Sequence, residues 1–181
     1  MDRFEFVFSL IGLLLGLSLV EVLSGLVKAR KAQATSRIGW LTPMLGVLVI
    51  LHVTSFWGIT WSLRDLLPPT VWQTLGAGVL LSGAYYFAAA RVFPDDPEQF
   101  ADLDSYYWRH KREVLGIILL CSIAVQIIAL LLGRPWTPII AAVNVPLYAG
   151  MAVAYVARNR LLNHVVIGFM IAWMVFNFSM P

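Results

Sequence analysis

Apolar residues run almost without a break from Phe4 to Val27, and the pattern returns five more times, over Trp40 to Leu63, Val71 to Phe93, Val114 to Leu132, Trp136 to Ala157 and Leu161 to Met180. Each stretch is close to the roughly 20 residues with which a helix crosses a hydrocarbon core about 30 Å thick. No strand-like alternation interrupts them, and a segment in lipid must satisfy its own backbone polar groups, so helices are predicted. The expectation is an all-α polytopic bundle: six transmembrane helices forming one membrane domain over residues 1–181. The breaks agree, since Leu-Leu-Pro-Pro at 66–69 and Gly-Arg-Pro at 133–135 are turn chemistry. Only Arg158, Asn159 and Arg160 separate the last two stretches.

The longest polar interval, residues 94–113, carries its own pattern. Asp96, Pro97 and Gln99 have the order of an N-cap, a first-turn proline and a capping-box partner. Phe100, Leu103 and Tyr107 follow at helical spacing, which predicts a short amphipathic helix lying on the membrane and leading into the fourth span. Tyr106, Tyr107 and Trp108 suit the interface, and Arg109, Lys111 and Arg112 suit anionic lipid headgroups. The acidic cluster Asp95, Asp96, Glu98, Asp102 and Asp104 lacks the spacing of a calcium loop and reads as a solvated face.

Composition supports the class: 60% of residues are hydrophobic and 13% charged, with mean hydropathy +0.79, against about 25% charged in soluble domains. Ten basic residues fall on alternate loops: Lys28, Arg30, Lys31, Arg37, Arg91, Arg109, Lys111, Arg112, Arg158 and Arg160. The opposite side holds Arg3, Arg64 and Arg134. Basic loops are retained in the cytoplasm, which predicts a bacterial-type inner membrane protein with both termini outside the cytoplasm and explains the net charge of +3 without nucleic acid. The first apolar run is too long, and its flank too acidic, for a cleaved signal peptide. A single cysteine, Cys121, excludes an intrachain disulfide.

Against this background a few polar residues stand out. Glu21 lies roughly 9 to 10 Å inside the basic end of the first span, counted at about 1.5 Å per residue. It shares a stripe with Ser18, Gly25 and Lys28, while Ser9, Gly12 and Gly16 form a small-residue stripe on nearly the opposite face, predicted to pack closely against a neighbour. Glu21 reads either as a carboxylate that snorkels or pairs with Lys28, or as a proton- or cation-binding group. His52, Gln126 and Asn144 fall near the midplane, and Tyr85 and Tyr86 near the depth of Glu21. Asn144 shares its stripe with Tyr148, Met151 and Tyr155. These stripes are expected to face the bundle interior, either as interhelical glue or as the lining of an ion path. Pro146 removes a helical hydrogen bond beside Asn144 and predicts a kink. A faint similarity between the halves, Glu21 over Gln126 and Pro43 over Pro138, suggests a 3+3 inverted repeat.

Enzyme readings find no support, because phosphate loop, nucleophile elbow, zinc-helix motif and intramembrane carboxylate pair are all missing from the sequence. No cofactor is required, as His52 and His164 sit at different depths and do not suit one haem. Three functions remain. The leading expectation is a small homo-oligomeric channel or transporter for protons or small cations, using Glu21, His52, Tyr85, Tyr86, Gln126, Asn144 and Tyr148. The alternatives are a non-catalytic subunit that binds a membrane protein partner, through the face of Trp57 or the acidic segment, and a pigment- or quinone-binding protein.

Overall fold

The computed structural model describes residues 3–34, 37–66 and 71–179, and six helices carry most of them. In chain order they are α1 (Arg3–Lys31), α2 (Leu41–Ser62), α3 (Val71–Ala90), α4 (Leu103–Leu131), α5 (Pro138–Val156) and α6 (Arg160–Phe178). Short 3-10 turns follow α1 at Ala32–Ala34 and precede α4 at Pro97–Gln99. All but α3 are long and apolar enough to cross a membrane. The 20 residues of α3 are diluted by Gln73, Thr74, Ser82, Tyr85 and Tyr86. The chain is thus an all-α bundle with five candidate membrane spans.

Local chemistry sets the helix ends. Thr137 Oγ1 accepts from Ile140 N, with Pro138 opening α5, and Asn159 Oδ1 accepts from Leu162 N to start α6. Gly133 ends α4 at φ +87°, with Gly133 N bonded to Leu130 O and Arg134 N to Ala129 O. That is a Schellman closure, and it needs a residue at ease in the left-handed region. α5 continues as one helix through Pro146.

The amphipathic helix expected at 94–113 does not form as a separate element. Asp96 caps only the turn Pro97–Gln99, accepting from Glu98 N and Gln99 Nε2. Phe100 is then extended, and Asp102, accepting from Asp104 N, starts a new helix that runs without interruption to Leu131. Backbone pairing holds the break in place: Arg37 N donates to Ala101 O at 2.9 Å and Leu103 N to Arg37 O at 3.0 Å. At 29 residues, α4 is about 43 Å long and overshoots a hydrocarbon core of about 30 Å.

α2 is the centre of the bundle, packed on α1, α4 and α6; α1 lies along α3, α3 also meets α4, and α5 bridges α4 and α6. An inverted repeat would match the α1–α3 pair with an α4–α6 pair, but among the described residues α4 and α6 make no comparably extended contact. The interior holds Leu45, Leu48, Leu115, Ile118, Met151 and Met170, all fully buried. Helices surrounded by lipid gain little from hiding apolar surface, so close packing carries the association. α1 buries Val7, Ile11, Leu15, Ser18, Val22, Gly25 and Ala29 at three- and four-residue spacing. The predicted close-packing residues are different: a Cβ on Gly12 would meet only the Trp57 ring at ordinary contact distance, and one on Gly16 would meet nothing. The close approach is at Gly25, where a Cβ would lie 2.7 Å from Phe93. The small-residue stripe points away from the side that α2 and α3 occupy most tightly.

Candidate functional site

A cavity of about 600 Å³ opens between α2, α4, α5 and α6 in the half of the bundle that contains the 132–138 turn. Five of the seven polar residues singled out for an ion path line it: His52, Tyr85, Gln126, Asn144 and Tyr148. They come from four helices, α2, α3, α4 and α5. The physical reason is general, since a hydrogen-bonding side chain in an apolar helix is costly in lipid and must turn toward protein or water.

His52 is 4% exposed, and its Nε2 has no hydrogen-bond partner among the described residues. The Tyr85 ring packs at a tilt against Phe56, with centroids 5.3 Å apart and an interplanar angle of 31°. The Tyr148 hydroxyl donates to Ser122 O at 3.3 Å, bridging α5 and α4. Asn144 Nδ2 donates to Ile140 O at 2.8 Å, within its own helix, and does not join the carbonyl of residue 142 that Pro146 leaves without its usual donor. At the mouth Arg134 Nη1 donates to Ser62 Oγ at 3.1 Å, tying the 132–138 turn to the end of α2. His52 and Ser62 are both on α2, ten residues apart, so the cavity reaches about 15 Å from its mouth. A smaller, more apolar cavity of about 340 Å³ lies on the other side of Phe56, Ile59 and Val125, among α1 to α4.

Two residues of the predicted path lie elsewhere. Tyr86 is 43% exposed on the outer surface of α3. Glu21 is half-buried at one edge of the buried stripe of α1 and does not line the cavity. Neither Lys28 nor any other cation forms an ion pair with it among the described residues. Its helix is on the far side of α2 from α5 and α6, and a helical wheel drawn for α1 alone does not contain that information.

The opposite half of the bundle is closed, first by the apolar layer of Leu115, Ile118, Met151, Ile167 and Met170, then by a polar cluster that sequence reasoning missed. Lys111, expected at lipid headgroups, is 3% exposed and turned inward. Its Nζ donates to Ala154 O at 2.7 Å, to Ala157 O and to Asn163 Oδ1 at 3.1 Å, so it covers the last carbonyls of α5, where a cation is favoured. Fully buried Asn163 also accepts from the Tyr107 hydroxyl at 2.6 Å and donates to Asn159 O and Ala157 O. Arg109 and Arg112 remain exposed.

The acidic segment is not a uniformly solvated face either. Asp104 is 2% exposed; its Oδ1 accepts from Leu41 N at 3.1 Å and its Oδ2 from Arg160 Nη2 at 2.6 Å. A residue of α4 thus caps α2, whose own Trp40 supplies no capping side chain, and Thr42 Oγ1 returns a bond to Leu103 O at 2.8 Å. The only sequence signal was an aspartate in the first turn of a helix, which marks its own N-terminus just as well.

Compared with known protein families, curated proteins and solved structures, the chain matches none.

Proposed function

We propose that this protein is a small membrane transporter that moves protons by way of the cavity between α2, α4, α5 and α6. The observation that supports this reading most is the convergence of His52, Tyr85, Gln126, Asn144 and Tyr148 on one cavity that is open at one end and closed at the other. A channel needs a continuous path, whereas a cavity with one open end fits a site that is exposed to each side in turn. Protons suit the lining better than metal cations do. Among the described residues no carboxylate lines the cavity to balance a fixed cation, while an imidazole, hydroxyls and amides can hand a proton along. Glu21 falls outside this route. Six membrane crossings, an inner-membrane location with both termini outside the cytoplasm, and homo-oligomeric assembly belong to the same proposal.

Proton flux into liposomes carrying the purified protein tests it. Dissipation of an imposed pH gradient should fall at least about tenfold, the effect of removing about 1.4 kcal/mol of stabilisation from a limiting step, in His52→Ala, and should persist in Glu21→Gln. Vesicles that stay as tight as protein-free ones at every pH would end the proposal, and a flux lost in Glu21→Gln but kept in His52→Ala would move the route to α1.

A further inference from the structure

The cavity has an electrostatic polarity that proton movement alone does not use. Its one charged lining side chain among the described residues is Arg134, at the mouth. The first turn of α5 is beside it, with Ile139 and Ile140 also lining the cavity, but Ser62, Asn177 and Phe178 bring the carbonyl ends of α2 and α6 to the same lining, so the guanidinium and not a helix end carries the positive potential. Beyond the mouth the walls are mainly apolar, with Phe56, Ile59, Val125, Leu147 and Met174. At the deep end the buried Nε2 of His52 has no protein partner. A buried polar atom of this kind ordinarily has one; Nε2 itself has almost no accessible surface, so a bound group reaches it only when the imidazole turns toward the cavity that His52 lines.

We infer that the cavity binds an amphipathic organic carboxylate, its anionic group at the mouth with Arg134, its apolar body along the walls, and a distal hydroxyl or carbonyl at His52. This rests on the reading of the cavity as the transport route and names the class of organic ligand that the same cavity takes beside the proton. A cation is disfavoured at a mouth whose only charged side chain among the described residues is positive, and a dianion exceeds the one guanidinium that faces it. The depth of about 15 Å from Ser62 to His52 sets the separation of the two polar groups, and the volume of about 600 Å³ falls in the range of small-molecule sites. Such a molecule can arrive from water or from the bilayer, and the two sources are distinguishable.

The test is binding, independent of flux. Protein in lipid nanodiscs is titrated with laurate, ω-hydroxylaurate and laurylamine against empty nanodiscs by calorimetry. Laurate should bind and laurylamine should not, and ω-hydroxylaurate should bind more tightly than laurate. Arg134→Gln should weaken both carboxylates at least about tenfold, or about 1.4 kcal/mol. His52→Ala should abolish the preference for the hydroxyl, so that laurate and ω-hydroxylaurate bind equally to that variant. Circular dichroism and elution volume confirm that each variant is folded. Competition by caproate added to the aqueous phase, or by palmitate resident in the lipid, supports the inference and identifies the source. Equal binding of amine and acid, an unaltered Arg134→Gln, or competition by neither acid overturns it. Carboxylate binding without proton flux would sink the transport reading alone, and flux without carboxylate binding this inference alone.

Discussion

Replacing Asp104 with alanine removes a group that closes α2 from a distance. The first N–H groups of a helix have no partner in their own helix. Leu41 N meets that need through Asp104 Oδ1, 63 residues away, in a site where Leu41 is fully buried. Leaving this N–H unpaired costs about 1 to 3 kcal/mol, the penalty of an unsatisfied buried donor. The Arg160 contact at 2.6 Å adds less than its length suggests, because the arginine side chain is 60% exposed, and pairs open to solvent contribute up to about 1 kcal/mol. Asp104→Ala should therefore destabilise the protein by about 1 to 4 kcal/mol, the sum of those two losses. Asp104→Asn keeps an acceptor for Leu41 N and loses only the charge, so it should cost about 1 kcal/mol. Equilibrium unfolding in mixed micelles of fixed lipid content measures both, and a cycle with Arg160→Ala isolates the ion pair. If Asp104→Ala unfolds within about 0.5 kcal/mol of the parent, the range of ordinary surface changes, the capping role is wrong. If asparagine proves as damaging as alanine, the charge matters more than the acceptor.

Other changes should read out separate parts of the fold. Gly25→Ala sets a methyl 2.7 Å from the Phe93 side chain and should cost about 1 to 3 kcal/mol by overpacking, whereas Gly16→Ala, with open space beside it, should be neutral or slightly stabilising in the same unfolding assay. Gly133→Ala has nothing to clash with, yet its φ of +87° should cost about 1 to 2 kcal/mol through the left-handed backbone, with asparagine milder than alanine. Lys111→Met leaves the α5 carbonyls and Asn163 Oδ1 without their cation; hydrogen exchange at the C-terminal turn of α5 should accelerate while that at its N-terminal turn stays the same, and uniform protection along α5 would refute the capping role.

Much of the architecture was legible because its causes are local. An apolar run of bilayer length has one economical conformation, and proline, glycine and the Arg158–Asn159–Arg160 interval end helices through their own backbone chemistry. The inward-facing polar set was legible for a related reason, since burial in lipid forces His52, Gln126, Asn144 and Tyr148 toward protein wherever the neighbours are. What the local pattern could not contain is the identity of those neighbours. Glu21 and Tyr86 satisfied the same rule of thumb as His52, but α2 stands between α1 and the cavity, and Tyr86 faces outward one position after Tyr85 faces in. Gly12 and Gly16 had the spacing of a packing seam with no helix closely seated on it, and the contact fell to Gly25. Lys111 and Asp104 had the composition of a wet, membrane-facing segment, yet the folded chain brings two helix ends to them, the carbonyls of α5 and the N–H of Leu41. Residues 43 to 63 positions apart in sequence create those demands, so the roles of both side chains arise from how the helices assemble around α2.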